Sequence, residues 1–297
     1  INIQRPMRAV IDCGNAAACL SAPIIFPSLD IEIDELFCNV DSSFPNHHPD
    51  PTEDHNLVDI VRKIKNGLYD FGVAFDGDAD RVVAVDETGS IIRSDILIAL
   101  FLPEIIKKEG EPIVFDVKCS QALEDMIIHY GGNPIMWNTG HSLVKAKMAE
   151  ENAPLAGELS GHIFFKDGYY GFDDALYCAI RLMNAAAETQ EPFSSLSAHL
   201  PTLYNTPEVR IEVDEDKKFD IVPQITSNLK PRESDDLKIN DIDGVRVTTP
   251  HGWWLLRPSN TQNVLVSRVE ADSQENLNHL KAMVEEEVSK AGYKFKF

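Results

Sequence analysis

The sequence predicts an α/β protein: two similar layered α/β domains followed by a smaller α+β C-terminal domain with a mainly antiparallel sheet. Three patterns in the 297 residues carry this expectation. Up to about residue 202, short apolar runs alternate with stretches of helical period, as layered strands and helices do. From about residue 203 the pattern changes, with strict alternation in Glu208 to Val213 and a hairpin signal after it, as in an antiparallel sheet. A helical stripe then closes the chain. The expected domains are residues 1–93, 94–202 and 203–297.

In the first domain, Arg8 to Asp12 reads as a strand ending in the turn Gly14-Asn15. Asn56 to Lys65 places Leu57, Ile60, Val61 and Ile64 on one helical face and stops at Gly67. Phe71 to Phe75 and Val82 to Val85 are strands, with the acidic stretch Asp76 to Arg81 between them and the turn Asp86 to Gly89 after them. In the second domain, Ser94 is placed to cap a helix through Lys108, kinked or restarted at Pro103. Then follow a strand at Ile113 to Val117, a helix at Ser120 to Tyr130, a strand at Pro134 to Trp137, and helices at Ser142 to Glu150 and Asp173 to Glu188. In the third, Glu208 to Val213 and Val264 to Glu270 alternate, Asp243-Gly244 signals a hairpin, and Ser273 to Ala291 carries Leu277, Leu280, Val284 and Val288 as a helical stripe.

Composition narrows the function classes. There are 27 Lys plus Arg against 48 Asp plus Glu, a formal charge of −21, and the pI is near 4.7. This balance argues against a nucleic-acid partner or an anionic membrane, either of which calls for a basic face. The longest plainly apolar run, Ile96 to Leu102, is far short of the ~20 residues that span a bilayer. Five scattered cysteines without CxxC spacing suit reduced thiols better than a disulfide framework. The expectation is a soluble, cytoplasmic protein.

Three motifs can carry chemistry. In Asp76-Gly77-Asp78-Ala79-Asp80-Arg81, carboxylates at alternate positions converge on a hard divalent cation if the loop curls. An EF-hand reading fails because Arg81 stands at the sixth position, which needs glycine, and because the flanks read as strands. A solvated acidic turn is the bland alternative; the density of charge favours magnesium sharing a phosphate with Arg81. In Gly157-Glu158-Leu159-Ser160-Gly161-His162, Glu158, Ser160 and His162 supply an acceptor, a two-way hydroxyl and a switchable donor suited to sugar hydroxyls. A glycine-rich turn around a structural histidine would look the same. Arg257-Pro258-Ser259-Asn260-Thr261 offers a guanidinium, hydroxyls, an amide and backbone N–H groups to a phosphate, or is an ordinary polar turn. Lys118, at a strand-to-helix junction, and His141, just before a helix, have anion-binding or purely structural readings.

With these motifs in order, the sequence resembles the α-D-phosphohexomutase family, in its bacterial phosphomannomutase/phosphoglucomutase branch. The resemblance runs along essentially the whole chain: Asp12 to Asn15, Phe44 to Pro51, Phe75 to Arg81, Thr139 to Leu143, Gly157 to Phe165 and Arg257 to Thr261. It implies the second, third and fourth of the family's four domains. The family's first domain carries a phosphorylated serine within Ser-His-Asn, a tripeptide that does not occur here. With Ile1 at the start in place of Met, the expectation is a chain lacking that domain and inactive alone.

Carried over by residue, the resemblance implies magnesium on Asp76, Asp78 and Asp80, with Arg81 beside the serine phosphate. It implies that Lys118 and His141 contact substrate and move protons, and that Glu158 and Ser160 read sugar hydroxyls, with His162 in their loop. Arg257, Ser259, Asn260 and Thr261 would bind the phosphate not in transfer. The implied ligands are hexose phosphates and a hexose 1,6-bisphosphate, and the implied partner is the missing N-terminal domain; mannose and glucose are not separated. Two other readings remain: a non-catalytic sugar-phosphate binding protein, and a magnesium phosphatase with Asp76 as nucleophile.

Overall fold

In a computed structural model of the protein, the described residues are 5–189, 191–214, 217–259 and 262–297. β1 (Met7–Asp12) runs parallel to both β2 (Ile31–Leu36) and β3 (Phe71–Phe75). β4 (Val82–Asp86) returns antiparallel to β3, and the short β5 (Ile91–Ile92) is antiparallel to β4, giving the order β2-β1-β3-β4-β5. Every residue of β3 and β4 is buried, so their side chains divide by parity between two cores. Val10, Ala74, Val83 and Val85 pack with Leu57, Ile60 and Ile64 from the helical segment around α2 (Val58–Lys65). Ala9, Ile11, Phe71, Val73, Phe75, Val82 and Ala84 face the other way, into a larger core. A four-residue helix, α1 (Ala22–Ile25), lies between β1 and β2.

That larger core is shared with the next segment of chain. α3 (Ser94–Ile105) contributes Leu97, Ile98, Phe101, Leu102 and Ile105 to it. The helix runs unbroken through Pro103, which sits in its last turn, where the missing N–H removes a single bond; Ile106 N still closes on Leu102 O at 2.9 Å. Ser94 is not the cap. Arg93 holds that position, and the buried Ser94 hydroxyl donates to the carbonyls of Glu158 at 2.6 Å and Leu159 at 2.8 Å.

The second sheet has the order β7-β6-β8-β9, formed by β6 (Glu111–Asp116), β7 (Gly132–Trp137), β8 (Leu155–Gly157) and β9 (Ile163–Phe165). β8 is parallel to β6 and antiparallel to β9. α4 (Gln121–His129), α5 (His141–Glu150) and α6 (Ala175–Glu188) accompany it, and Asp174 caps α6 by accepting from Tyr177 N at 2.9 Å.

The C-terminal sheet is antiparallel. Its strands are β10 (Tyr204–Asn205), β11 (Val209–Glu212), β12 (Lys238–Asn240), β13 (Val245–Thr249), β14 (Gly252–Pro258) and β15 (Val264–Ala271). They follow the order β10-β15-β14-β13-β12, with β11 also on β15. α7 (Lys218–Leu229) and α8 (Gln274–Lys290) cover a core of Ile221, Ile225, Val247, Trp254, Leu256, Leu265, Leu280 and Val284. Ser273 caps α8 through Asn276 N. The expected turn between β12 and β13 has Gly244 at φ +87°, where a Cβ would meet Leu256 O at 2.5 Å.

The chain folds as two compact units. The first runs through Cys119 and includes Leu123–Met136 and Gly140–Leu200; the second holds Ser120–Ala122, Trp137–Thr139 and the chain from Pro201 onward. Among the described residues, no helix is long and apolar enough to cross a membrane.

Candidate functional site

The acidic loop between β3 and β4 is curled, as its carboxylates require. Asp76 is buried, Asp80 half-buried and Asp78 exposed, and one oxygen from each lies within 4.8 Å of the others. Ala79 at the apex has φ +65°, which tightens the loop, and the N–H groups of Asp80 and Arg81 both donate to Asp76 Oδ1 at 3.1 Å. Arg81 Nε donates to Asp76 Oδ2 at 2.7 Å and Arg81 Nη1 to Asp50 Oδ1 at 3.0 Å. Burial pushes the Asp76 carboxyl up to about 6, against the pull of Arg81 and the backbone donors.

The loop between β8 and β9 lies against this one within the same unit. Arg81 and His162 form an antiparallel bridge, and Val82 N donates to Gly161 O at 3.2 Å. His162 is held between two carboxylates: Nε2 stands 3.3 Å from Asp80 Oδ1 and Nδ1 3.1 Å from Glu158 Oε2. Burial pulls His162 down, but the hydrogen bonds to Asp80 and Glu158 outweigh it and hold the ring at about 9, protonated at neutral pH. Burial raises Glu158, yet His162 and the Gly140 N–H, 2.5 Å from Oε1, bring it below the usual carboxylate range. Ser160 Oγ lies 3.0 Å from His162 Nδ1.

His141 opens α5, its ring stacked on that of His162 with centroids 5.4 Å apart. Its Nδ1 is 3.1 Å from Asp173 Oδ2, and Lys145 Nζ holds Asp173 Oδ1 at 2.8 Å. Lys118 follows β6, buried, with Nζ 3.9 Å from Asp116 Oδ2, while Asp116 Oδ1 accepts from Leu159 N at 3.1 Å. One unit therefore brings together Asp76, Asp78, Asp80, Arg81, Lys118, His141, Glu158, Ser160 and His162. It adds residues that the sequence reading did not single out: Asp50, Lys145 and Asp173. Asp50 lies in the run Phe44 to Pro51 and Asp173 at the predicted start of a helix, but neither position signals its partner.

Arg257 and Ser259 belong to the second unit. Arg257 is buried on β14, its Nε donating to Asp243 Oδ2 at 3.0 Å, and Asp243 Oδ2 also accepts from Thr139 N at 2.9 Å. Ser259 N closes the β14–β15 turn on Val264 O at 2.9 Å, and Ser259 Oγ accepts from Gln262 N. Asn260 and Thr261 lie outside the described residues.

The acidic loop fits a hard divalent cation. All donors are carboxylate oxygens, one from each aspartate within 4.8 Å of the others, the donor set that a hard cation takes.

Comparison with known proteins accounts for this arrangement. Three family models match in succession: phosphoglucomutase/phosphomannomutase alpha/beta/alpha domain II over residues 2–89, alpha/beta/alpha domain III over 93–204 and the C-terminal domain over 208–287. The chain belongs to the phosphoglucomutase/phosphomannomutase family. Phosphomannomutase/phosphoglucomutase of Pseudomonas aeruginosa is 45% identical over 284 residues, covering 95% of this chain. The chain spans 61% of the length of that relative. A crystal structure of a phosphoglucomutase/phosphomannomutase family protein from Burkholderia thailandensis superposes with TM-score 0.93 at 40% identity, covering 100% of this chain and 64% of that one. N-acetylphosphoglucosamine mutase of Aspergillus fumigatus, solved with GlcNAc-6P and magnesium, shares the fold at TM-score 0.70 and 17% identity over 96% of this chain and 62% of its own.

Proposed function

We propose that these domains serve a cytoplasmic phosphohexomutase that interconverts hexose 1-phosphate and hexose 6-phosphate, of mannose or glucose, through a phosphoserine and a 1,6-bisphosphate. The observation that carries this reading is the pairing, in one unit, of the Asp76–Arg81 loop with the Glu158–His162 loop by the Arg81–His162 bridge. An acidic loop next to a polar, sugar-reading loop is what phosphoryl transfer to a sugar hydroxyl requires: fixed positioning and charge neutralisation.

In this reading Asp76, Asp78 and Asp80 hold magnesium, which when bound would neutralise phosphate charge. Arg81, kept in place by Asp76 and Asp50, stands beside the transferring phosphate. Glu158 accepts from sugar hydroxyls and Ser160 and His162 complete that contact. His141, its ring oriented by Asp173, exchanges the proton of the attacking hydroxyl through Nε2, and Lys118 supplies a second cation or base. Arg257, Ser259, Asn260 and Thr261 bind the phosphate not in transfer.

The 297 residues contain no Ser-His-Asn. We therefore expect this chain alone to convert neither mannose 1-phosphate nor glucose 1-phosphate with magnesium and the 1,6-bisphosphate. Turnover should follow when a segment carrying the phosphoserine is joined to it. Turnover by the chain alone would overturn the dependence on an added serine. Binding of glucose 1,6-bisphosphate without turnover in the joined protein would leave the non-catalytic sugar-phosphate binder.

A further inference from the structure

Three of the five cysteines, scattered in sequence, meet in space. β1 and β2 pair in parallel with Asp12 opposite Leu36, so Cys13 and Cys38 leave the same end of neighbouring strands. Cys13 N donates to Leu36 O at 3.1 Å, and Phe37, at φ +53°, turns the chain so that the Cys38 thiol points back. The result is a contact of 3.1 Å between Cys38 Sγ and Cys13 Sγ. Cys19 lies in the same corner, its Sγ 3.4 Å from Phe37 O. A disulfide requires about 2.05 Å between the sulfurs, so a shift of about 1 Å closes the gap. Cys119 and Cys178 are fully buried elsewhere in the first unit.

We propose that Cys13 and Cys38 form a reversible disulfide under peroxide, a modification site at the end of the first sheet. Cys38 is half-buried and Cys13 is fully buried, so peroxide meets Cys38 first. The Cys38 thiolate attacks one peroxide oxygen and the O–O bond breaks. The sulfur becomes a sulfenic acid, two electrons oxidised, and the other oxygen leaves as water with the thiol proton. Cys13 Sγ then attacks the Cys38 sulfur and displaces hydroxide, which takes the Cys13 proton and leaves as a second water. Two thiols and one peroxide give one disulfide and two waters. A dithiol reductant reverses the change by exchange.

The corner is tied to the acidic loop: Ala17 N donates to Gly77 O at 3.2 Å, and a Cβ at Gly14 would stand 2.9 Å from Pro49. The cross-link thus stiffens the segment on which that loop leans.

The test uses the full chain, reduced and then exposed to hydrogen peroxide in small excess, with thiols counted in denaturant and the intact mass measured. The expected result is loss of two of the five thiols, a mass two hydrogens lower, full recovery with dithiothreitol, and a cross-link joining the peptides on either side of Glu32 and Glu35. Cys19→Ser should lose two thiols as the native chain does, and Cys38→Ser should form no intramolecular cross-link. Survival of all five thiols overturns the proposal, and so does retention of all four in Cys19→Ser, which would assign the bond to Cys19.

Discussion

Arg81 and His162 face each other across an antiparallel bridge that fastens the acidic loop to the Glu158–His162 loop. The bridge depends on Gly161, whose φ of +114° is costly for any other residue and whose missing Cβ would lie 3.0 Å from Arg81 Cβ and 3.2 Å from Val82 N. Gly161→Ala is therefore expected to destabilise the first unit by about 2 kcal/mol, from backbone strain and crowding together. Urea unfolding measures this. A cost within error of zero would mean that the two loops are not locked as described.

Ser94 makes a second tie to the same loop. Its hydroxyl is fully buried and donates to the Glu158 and Leu159 carbonyls. Ser94→Ala leaves those acceptors without that donor, so a loss of about 1–3 kcal/mol is expected, with the urea m-value unchanged. Ser94→Thr, which keeps the hydroxyl but adds a methyl to a full core, should also destabilise, through packing. A native-like midpoint for Ser94→Ala contradicts the role given to these bonds.

Long elements with a clear period were legible in the sequence, and short or long-range ones were not. β3 and β4 stood out as apolar runs bounded by polar turns, and α8 as a stripe of Leu277, Leu280, Val284 and Val288; β15 was legible as a strand, but by an alternation that its burial on both faces does not follow. β8 and β9, three residues each, are too short for a period, and Pro223 inside α7 disguised a helix whose apolar face nonetheless packs. The acidic and sugar-reading loops were visible as local motifs. The residues that hold them were hidden by distance along the chain: Asp50 reaches Arg81 across 31 positions and Asp173 reaches His141 across 32. Cys13 and Cys38, 25 positions apart, met only once the parallel register of β1 and β2 was known. Ser94 carried a cap signal that the fold uses for a different bond.

Asp78 separates metal binding from stability. It is exposed, whereas Asp76 is buried and already holds Arg81 and two backbone N–H groups. Without metal, Asp78→Asn should move the unfolding free energy by less than about 0.5 kcal/mol. With magnesium at a hundred times its dissociation constant, the native chain gains about 2.7 kcal/mol by mass action. A tenfold weaker site gains about 1.4 kcal/mol at the same concentration. Melting curves with and without magnesium chloride read both quantities, and equal shifts in the two proteins would remove Asp78 from the ligand set.

His47 makes stability depend on pH. Its Nε2 lies 3.2 Å from both oxygens of the buried Asp12, and its Nδ1 is 2.9 Å from His48 O. The hydrogen bond to Asp12 raises the histidine above its ordinary value; burial opposes this, and the charges of Asp12 and Asp59 assist. A raised histidine binds its proton more tightly in the folded state, so its contribution is complete below the unfolded value of about 6.5 and is lost as pH rises through the folded value. The pair is partly screened by solvent, so the contribution is about 1 kcal/mol, below the full worth of a charged hydrogen bond. His47→Asn should be less stable than the native chain by that amount at about pH 5.5, and the two should converge above the folded value, where the native ring is neutral. Asp12 keeps the Gly14 N–H in either protein, so the variant does not leave its carboxylate bare. Urea midpoints across this range decide it: a gap between the two proteins that stays constant with pH would show that His47 contributes packing and not charge.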